Sequence, residues 1–291
     1  MEHVRIGDHD VAYLTSPDGP SDGPLALCLH GFPDTAHTWR HLLPRLAGAG
    51  FRAVAPFTRG YAPTAVPTDG LYQTGALAAD ANALHEALGG HGDAVIIGHD
   101  WGAVSTYGAA GHEPDRWARV VGLAVPPGPV TAAAIVSNLD QLQRSWYMFF
   151  FQHPLADPVV AANDFAFIDR LWAQWSPGYP AAEDVAHVRV SLADPANLGA
   201  ALGYYRAALG DGKRDSRLDA IQAATNEVPP QPTLYLHGLD DGCVGAEVAE
   251  AAAAMSAGND HVTIEVLDGC GHFLQLERPD EVNDRIIEFL A

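Results

Sequence analysis

Two regimes of apolar and polar positions divide the chain. In residues 1–126 and again from 232 onward, short unbroken apolar runs alternate with Ala/Leu-rich stretches. Residues 11–14, 25–29 and 94–97 form such runs, and 51–55 (with Arg52), 120–125, 233–236 (after Thr233) and 262–267 (with Thr263 and Glu265) continue the series. Runs that are apolar throughout predict strands of a parallel sheet covered on both faces. Stretches such as 77–88 and 247–255 have the helical character that the covering layers require. Between 126 and 232 the pattern changes. No strand signal stands there, and aromatic residues crowd in: Trp146, Tyr147, Phe149, Phe150, Phe151, Phe165, Phe167, Trp172 and Trp175. Prolines bracket the stretch (Pro126, Pro127 and Pro129 before, Pro229, Pro230 and Pro232 after), as punctuation between two sets of elements. The predicted fold class is α/β: a mostly parallel twisted sheet from residues 1–126 and 232–291, with 127–231 inserted as a helical cap. Such an insert lies over the carboxyl ends of the strands, where open α/β sheets bind ligands.

Composition narrows the partners. With 291 residues, 48% hydrophobic and 18% charged, the chain can bury a sizeable core, which excludes global disorder. Acidic residues outnumber basic ones 36 to 16, a formal charge of −20, and Lys213 is the single lysine. A surface this acidic repels phosphate backbones and anionic lipid, so neither nucleic acid nor a membrane is an expected partner. No apolar run reaches the ~18 residues of a membrane span. The first residues lack the basic and then apolar order of a signal peptide, so a cytoplasmic location is expected. Cys28, Cys243 and Cys270 show neither paired nor metal-like spacing, the 14 histidines are scattered, and there is no Gly-rich phosphate loop. Neither a metal nor a cofactor is expected.

The chemistry concentrates at residues 95–103, where an apolar strand runs into Gly98-His99-Asp100-Trp101-Gly102 and then into a small-residue helix. A Gly-x-nucleophile-x-Gly elbow is so tight that its flanks must lack side chains, and it thrusts the central residue out at a helix N-terminus. That position favours an anion. Serine is the usual occupant; here it is Asp100. A carboxylate is already anionic at pH 7 and can displace a leaving group at saturated carbon, which leaves an alkyl ester for water to hydrolyse. The competing reading of Asp100 is a plain helix N-cap, which does not explain the strand and both glycines.

Two further parts follow in order. Residues 236–241, Leu-His-Gly-Leu-Asp-Asp, follow a strand and offer an acid, Asp241 or Asp240, with the Gly-x-x-Asp spacing pointing to Asp241. Residues 269–273, Gly-Cys-Gly-His-Phe, follow the last strand and offer His272 as a base on a glycine-flanked loop. The imidazole would take a proton from water while the acid fixes its tautomer. The turn His30-Gly31-Phe32-Pro33 would aim the Phe32 N–H into the site, where with the Trp101 N–H it forms an oxyanion hole. His30 and His99 read as buried hydrogen-bonding residues.

These motifs, together with Arg59-Gly60-Tyr61, resemble the α/β-hydrolase superfamily and within it the Asp-nucleophile epoxide hydrolases, over nearly the whole chain. The resemblance implies an α/β-hydrolase core with a cap, no cofactor, and a small apolar epoxide and water as reactants, giving a vicinal diol. It also assigns two residues of the cap. Residues 145–154, Ser-Trp-Tyr-Met-Phe-Phe-Phe-Gln-His-Pro, look like the first cap segment of that family, whose tyrosine five positions before the glutamine activates the epoxide: Tyr147. Residues 202–206, Leu-Gly-Tyr-Tyr-Arg, look like the second, where the tyrosine before the arginine pairs with it: Tyr205, with Tyr204 as its decoy. Trp101, Phe32, Phe151 and Phe273 are expected to line the substrate pocket. One departure is the Pro56-Phe57-Thr58 that precedes Arg59. That loop is remote from the triad in motif order and is expected to affect substrate access.

Two alternatives remain at this point. A haloalkane dehalogenase resembles the chain through the same Asp-Trp elbow, with Trp101 and a cap tryptophan, Trp172 or Trp175, holding the halide. A non-catalytic ligand-binding protein could keep the fold without the chemistry.

Overall fold

A computed structural model describes all 291 residues. Eight strands form one sheet: β1 (Glu2–Ile6), β2 (His9–Thr15), β3 (Leu25–Leu29), β4 (Arg52–Pro56), β5 (Ala94–His99), β6 (Trp117–Leu123), β7 (Thr233–Gly238) and β8 (Val262–Leu267). Their spatial order is β1-β2-β4-β3-β5-β6-β7-β8. The β1/β2 and β2/β4 pairs are antiparallel, and every other pair is parallel. All residues of β3, β5 and β7 are buried, as unbroken apolar runs require when successive side chains point to opposite, covered faces.

Seven helices belong to the sheet's covering layers and connections: α1 (Leu42–Gly48), α2 (Thr74–Ala87), α3 (Trp101–His112), α10 (Asp219–Ala224), which falls inside the stretch 127–231 expected as the cap but packs on core helices, α11 (Ala246–Met255), α12 (Leu274–Glu277) and α13 (Pro279–Leu290). α2, α3 and α10 pack together, and α1 packs on α13. In α13, Val282, Ile286 and Leu290 recur every four residues and are buried, which is the spacing of one helix face. No helix is long and apolar enough to cross a membrane.

No strand stands between β6 and β7; ahead of α10 that stretch holds the six helices of the insertion: α4 (Val130–Ser137), α5 (Leu139–Arg144), α6 (Trp146–Phe150), α7 (Ala156–Trp175), α8 (Ala182–Leu192) and α9 (Pro195–Leu209). α7 breaks at Ala162–Phe165, where Asn163, Asp164 and Phe165 take left-handed φ values of 51°, 55° and 59°. Side chains of this insertion bond to loop backbone of the core. Tyr204 Oη donates to the Arg59 carbonyl (2.6 Å), Asn197 Nδ2 to Gly60 (2.7 Å), Ser191 Oγ to Ala62 (2.6 Å) and Trp172 Nε1 to Pro33 (2.9 Å).

Three details differ from the sequence expectations. β1 gave no apolar run, because this edge strand exposes Glu2, His3 and Arg5. β6 begins at Trp117 and stops at Leu123, since Ala124 turns left-handed at φ 65°. The loop before Arg59 is not remote from the site: Thr58 N–H donates to His30 Nε2 (3.0 Å), beside the predicted oxyanion turn. The Arg59 guanidinium is buried against Asp80 and the Leu71 carbonyl, so this loop is a rigid seat for the insertion.

Candidate active site

At the carboxyl end of β5 the chain turns into α3 through Asp100, whose φ of 55° and ψ of −121° no ordinary helix or strand residue adopts. Crowding dictates the flanking glycines. A Cβ on Gly98 would run into the Gly102 carbonyl, and a Cβ on Gly102 into the Leu29 carbonyl. Within this turn Asp100 Oδ1 accepts the Phe32 N–H at 2.7 Å. Burial pushes its carboxyl up to about 6, against the pull of His272 and the N–H groups of Phe32 and Trp101. At neutral pH it is an anion held by backbone donors.

The loops after β7 and β8 bring Asp241 and His272 together. His272 Nδ1 lies 2.9 Å from Asp241 Oδ2, and His272 Nε2 lies 3.8 Å from Asp100 Oδ2. Asp241 Oδ1 accepts the N–H groups of Cys243 (2.7 Å) and Val244 (2.9 Å), so this carboxylate is locked as an acceptor. Asp240 is exposed, and of the two carboxylates it is Asp241 that meets His272. Burial disfavours the charged imidazole of His272. The charge and hydrogen bond of Asp241 and the charge of Asp100 outweigh it, and the pKa stays raised. His272 Nε2 is buried with no partner, free to take a proton.

His99 and His30 have the supporting parts expected of them. His99 Nε2 meets the His272 carbonyl at 2.9 Å. His30 Nδ1 meets the Gly31 carbonyl at 2.9 Å while Nε2 accepts from Thr58, an arrangement that suits one neutral tautomer. Burial holds its pKa down to about 4.

The insertion supplies the roof. Tyr147 on α6 and Tyr205 on α9 stand with ring centroids 5.5 Å apart, edge to face, and Phe151 packs against both. Tyr205 also contacts Phe32 (5.2 Å) and Trp101 (5.1 Å), residues of the floor. Its hydroxyl and the Trp101 indole N–H are buried without a partner. Consecutive residues on a helix point about 100° apart, so Tyr204 turns away and spends its hydroxyl on Arg59. Burial raises both Tyr147 and Tyr205 well above the usual phenol range, which keeps them protonated donors. Of the four expected pocket residues, Phe32, Phe151 and Trp101 surround the tyrosines. Phe273 instead stacks on Trp172 at 3.4 Å and contacts Trp175, His99 and His272, serving the seam between insertion and core.

Residues that served in the sequence only as markers of the tyrosines, and one outside any motif, complete the site. Gln152 Nε2 bridges the carbonyls of Met148 (2.8 Å) and Tyr205 (3.0 Å), and Arg206 Nε reaches the Phe151 carbonyl (3.0 Å). These two side chains tie the tyrosine-bearing segments together. Cys243 Sγ lies 3.4 Å from Tyr147 Oη, a contact that no spacing signals. A groove of about 350 Å³ opens between α5 and α6, the end of α7 and Gly242. One of its lining residues, Trp175, packs its ring on Tyr147 and His272.

Residues 24–279 match the family model of the α/β hydrolase fold. An epoxide hydrolase from Caballeronia sordidicola is 30% identical, over 92% of this chain and 88% of its own. Epoxide hydrolase A from Mycobacterium tuberculosis is 28% identical, over 94% and 92%. The crystal structure of epoxide hydrolase A from Mycobacterium thermoresistibile superposes with a TM-score of 0.77 at 27% identity, over 99% of this chain and 97% of that one. With the elbow, the capped sheet and these relatives agreeing, the chain belongs to the α/β hydrolase fold family and, within it, to the epoxide hydrolase-like group.

Proposed function

We propose that the protein is a cofactor-independent epoxide hydrolase that converts a small apolar epoxide to a vicinal diol through an ester on Asp100. The observation that carries this reading is the pair of buried, protonated phenols, Tyr147 and Tyr205, above a carboxylate nucleophile. Opening an epoxide develops alkoxide charge in an apolar enclosure, and two phenolic donors meet that charge as it forms.

The two oxygens of Asp100 divide the work. Oδ1 is held by the Phe32 N–H, which leaves Oδ2 as the attacking atom. Oδ2 forms a bond to a ring carbon as the C–O bond on its far side breaks. The electron pair passes to the epoxide oxygen, which takes a proton from a tyrosine. His272, aligned by Asp241, then removes a proton from water, and the hydroxide adds to the ester carbonyl. The resulting oxyanion sits at Oδ1, facing the Phe32 and Trp101 N–H groups. Collapse expels the diol with the proton returned by His272, and the water's second proton, left on the regenerated Asp100 carboxyl, passes to the tyrosinate and restores the phenol.

The dehalogenase reading is less well supported. A halide cannot accept a proton and needs N–H donors, and the Trp172 indole already donates to Pro33. Parallel turnover of styrene oxide, aliphatic epoxides and 1-haloalkanes tests both. Diol without halide is expected; halide without diol would overturn the proposal, and silence on the whole panel would favour the ligand-binding alternative.

A further inference from the structure

The backbone around His272 is clamped from the insertion and from α12. Gly271 N–H donates to both carboxylate oxygens of Glu277 (3.0 and 2.9 Å). His272 N–H donates to the Trp175 carbonyl (3.0 Å), and Phe273 N–H to Ser176 Oγ (3.0 Å). Ser176 passes its own hydroxyl hydrogen to Glu277 Oε1 at 2.6 Å, which closes the network. The Trp175 carbonyl accepts Gly242 N–H as well (3.1 Å), beside Asp241. Three consecutive N–H groups of the base loop are thereby fixed by the C-terminal end of α7 and one carboxylate.

A loop flanked by Gly269, at φ 67°, and Gly271 has little conformational preference of its own. A general base must nevertheless be held within a fraction of an ångström of its target. Glu277 is half-buried, Ser176 fully so, and neither is hydrogen-bonded to Asp100, Tyr147 or Tyr205.

We propose that Ser176 and Glu277 are positioning residues for the ester-hydrolysis step, aiming His272 through the N–H groups of Gly271 and Phe273 and tying the base to the seating of the insertion. The inference rests on the reading of Asp100 and His272 given above. It implies a step-specific defect. Attack by Asp100 on the epoxide needs Asp100 and the tyrosines and is indifferent to the clamp; removal of a proton from water needs His272 in register.

Charge gives a second signature. The Glu277 carboxylate faces His272 alongside Asp241 and Asp100, and the rings of His99 and His237 are the other titratable groups around it. Glu277→Gln removes one of the three negative charges, so the imidazole loses protons more readily. The acid limb of ester hydrolysis moves to lower pH. Ser176→Ala leaves the charge in place, and its limb stays put.

The test is single-turnover reaction of wild type, Glu277→Gln and Ser176→Ala with styrene oxide, quenched over time and read by intact mass, with circular dichroism to check folding. Both variants are expected to form the ester at a rate within about twofold of wild type, to hydrolyse it roughly 10- to 100-fold more slowly, and to lose KM along with kcat. Only Glu277→Gln should shift the acid limb. Wild-type ester decay in both variants, or equal slowing of both steps, overturns the proposal; Ser176→Ala alone decides the matter if Glu277→Gln does not fold. Absence of any ester in wild type and in His272→Gln would sink the assignment of Asp100 itself, a failure recognisably different from a clamp without effect.

Discussion

His272 Nε2 lies 3.8 Å from Asp100 Oδ2, the carboxylate oxygen that the Phe32 N–H leaves free. In the proposed mechanism one arrangement therefore serves two steps: the free oxygen attacks, and the imidazole beside it later delivers water to the ester. His272→Gln keeps the shape and removes the base. Ester formation should persist while turnover falls by at least about 10³-fold, seen as a mass increase of one substrate. An unmodified mass after epoxide exposure would contradict this. Asp100→Asn should leave neither ester nor diol, with an unchanged circular dichroism spectrum.

The pH dependence follows from the same two residues. Asp100 must be ionised to attack, and burial pushes its carboxyl up to about 6. His272 must be neutral to accept a proton, and Asp241 and Asp100 keep its pKa raised despite burial. Both requirements are met by deprotonation, so activity rises with pH through and somewhat above pH 6 and then levels off. The phenols stay protonated well beyond pH 10, so they impose no alkaline decline below it. A rate that falls between pH 7 and 9 in a folded protein would be inconsistent with these assignments.

In the proposed mechanism Tyr147 and Tyr205 act on one oxygen, so their removal should not be additive. Either Phe substitution alone should slow ester formation by about 10-fold or more, and the double variant by more than about 10³-fold, the scale of losing transition-state donors. Rapid-quench rates of ester formation check this. A double variant near wild type would leave the tyrosines as packing only.

Asp34, which follows the Phe32 turn and donates its N–H back to the Gly31 carbonyl, carries a prediction for stability. Its Oδ1 accepts the Thr35 N–H at 2.7 Å, and its Oδ2 is buried without a partner. Burial pushes its carboxyl up to about 7. A folded-state pKa above the unfolded one means stability that is present at low pH and lost as pH rises from about 4 to 7. Asp34→Asn carries no charge and escapes this loss. Relative to wild type it should gain on the order of 3 kcal/mol between pH 4 and pH 8, measured by urea unfolding at both. An equal difference at the two pH values would refute the assignment.

What was legible in the chain was local. Unbroken apolar runs at 25–29, 94–97 and 233–236 identify buried parallel strands, because side-chain alternation leaves no other way to hide both faces. The elbow around Asp100 can be read because the turn itself excludes side chains at Gly98 and Gly102. The edge strand β1 was missed for the converse reason: it buries too little to leave a pattern.

Choices between neighbours needed the tertiary structure. Asp240 and Asp241 are chemically identical, and only the path of the loop after β7 turns one outward and the other onto His272. Tyr204 and Tyr205 are likewise separated only by helix phase, once α9 has docked on the Arg59 loop. Trp172 looks like a free indole until folding brings Pro33, 139 residues away, beneath it. The chain by itself thus determined the sheet and the elbow that presents Asp100, since each rests on contacts within a few residues. Which member of each pair faces the site was decided by the insertion's seat on the core, because burial and hydrogen-bond partners belong to surfaces that exist only when distant segments meet.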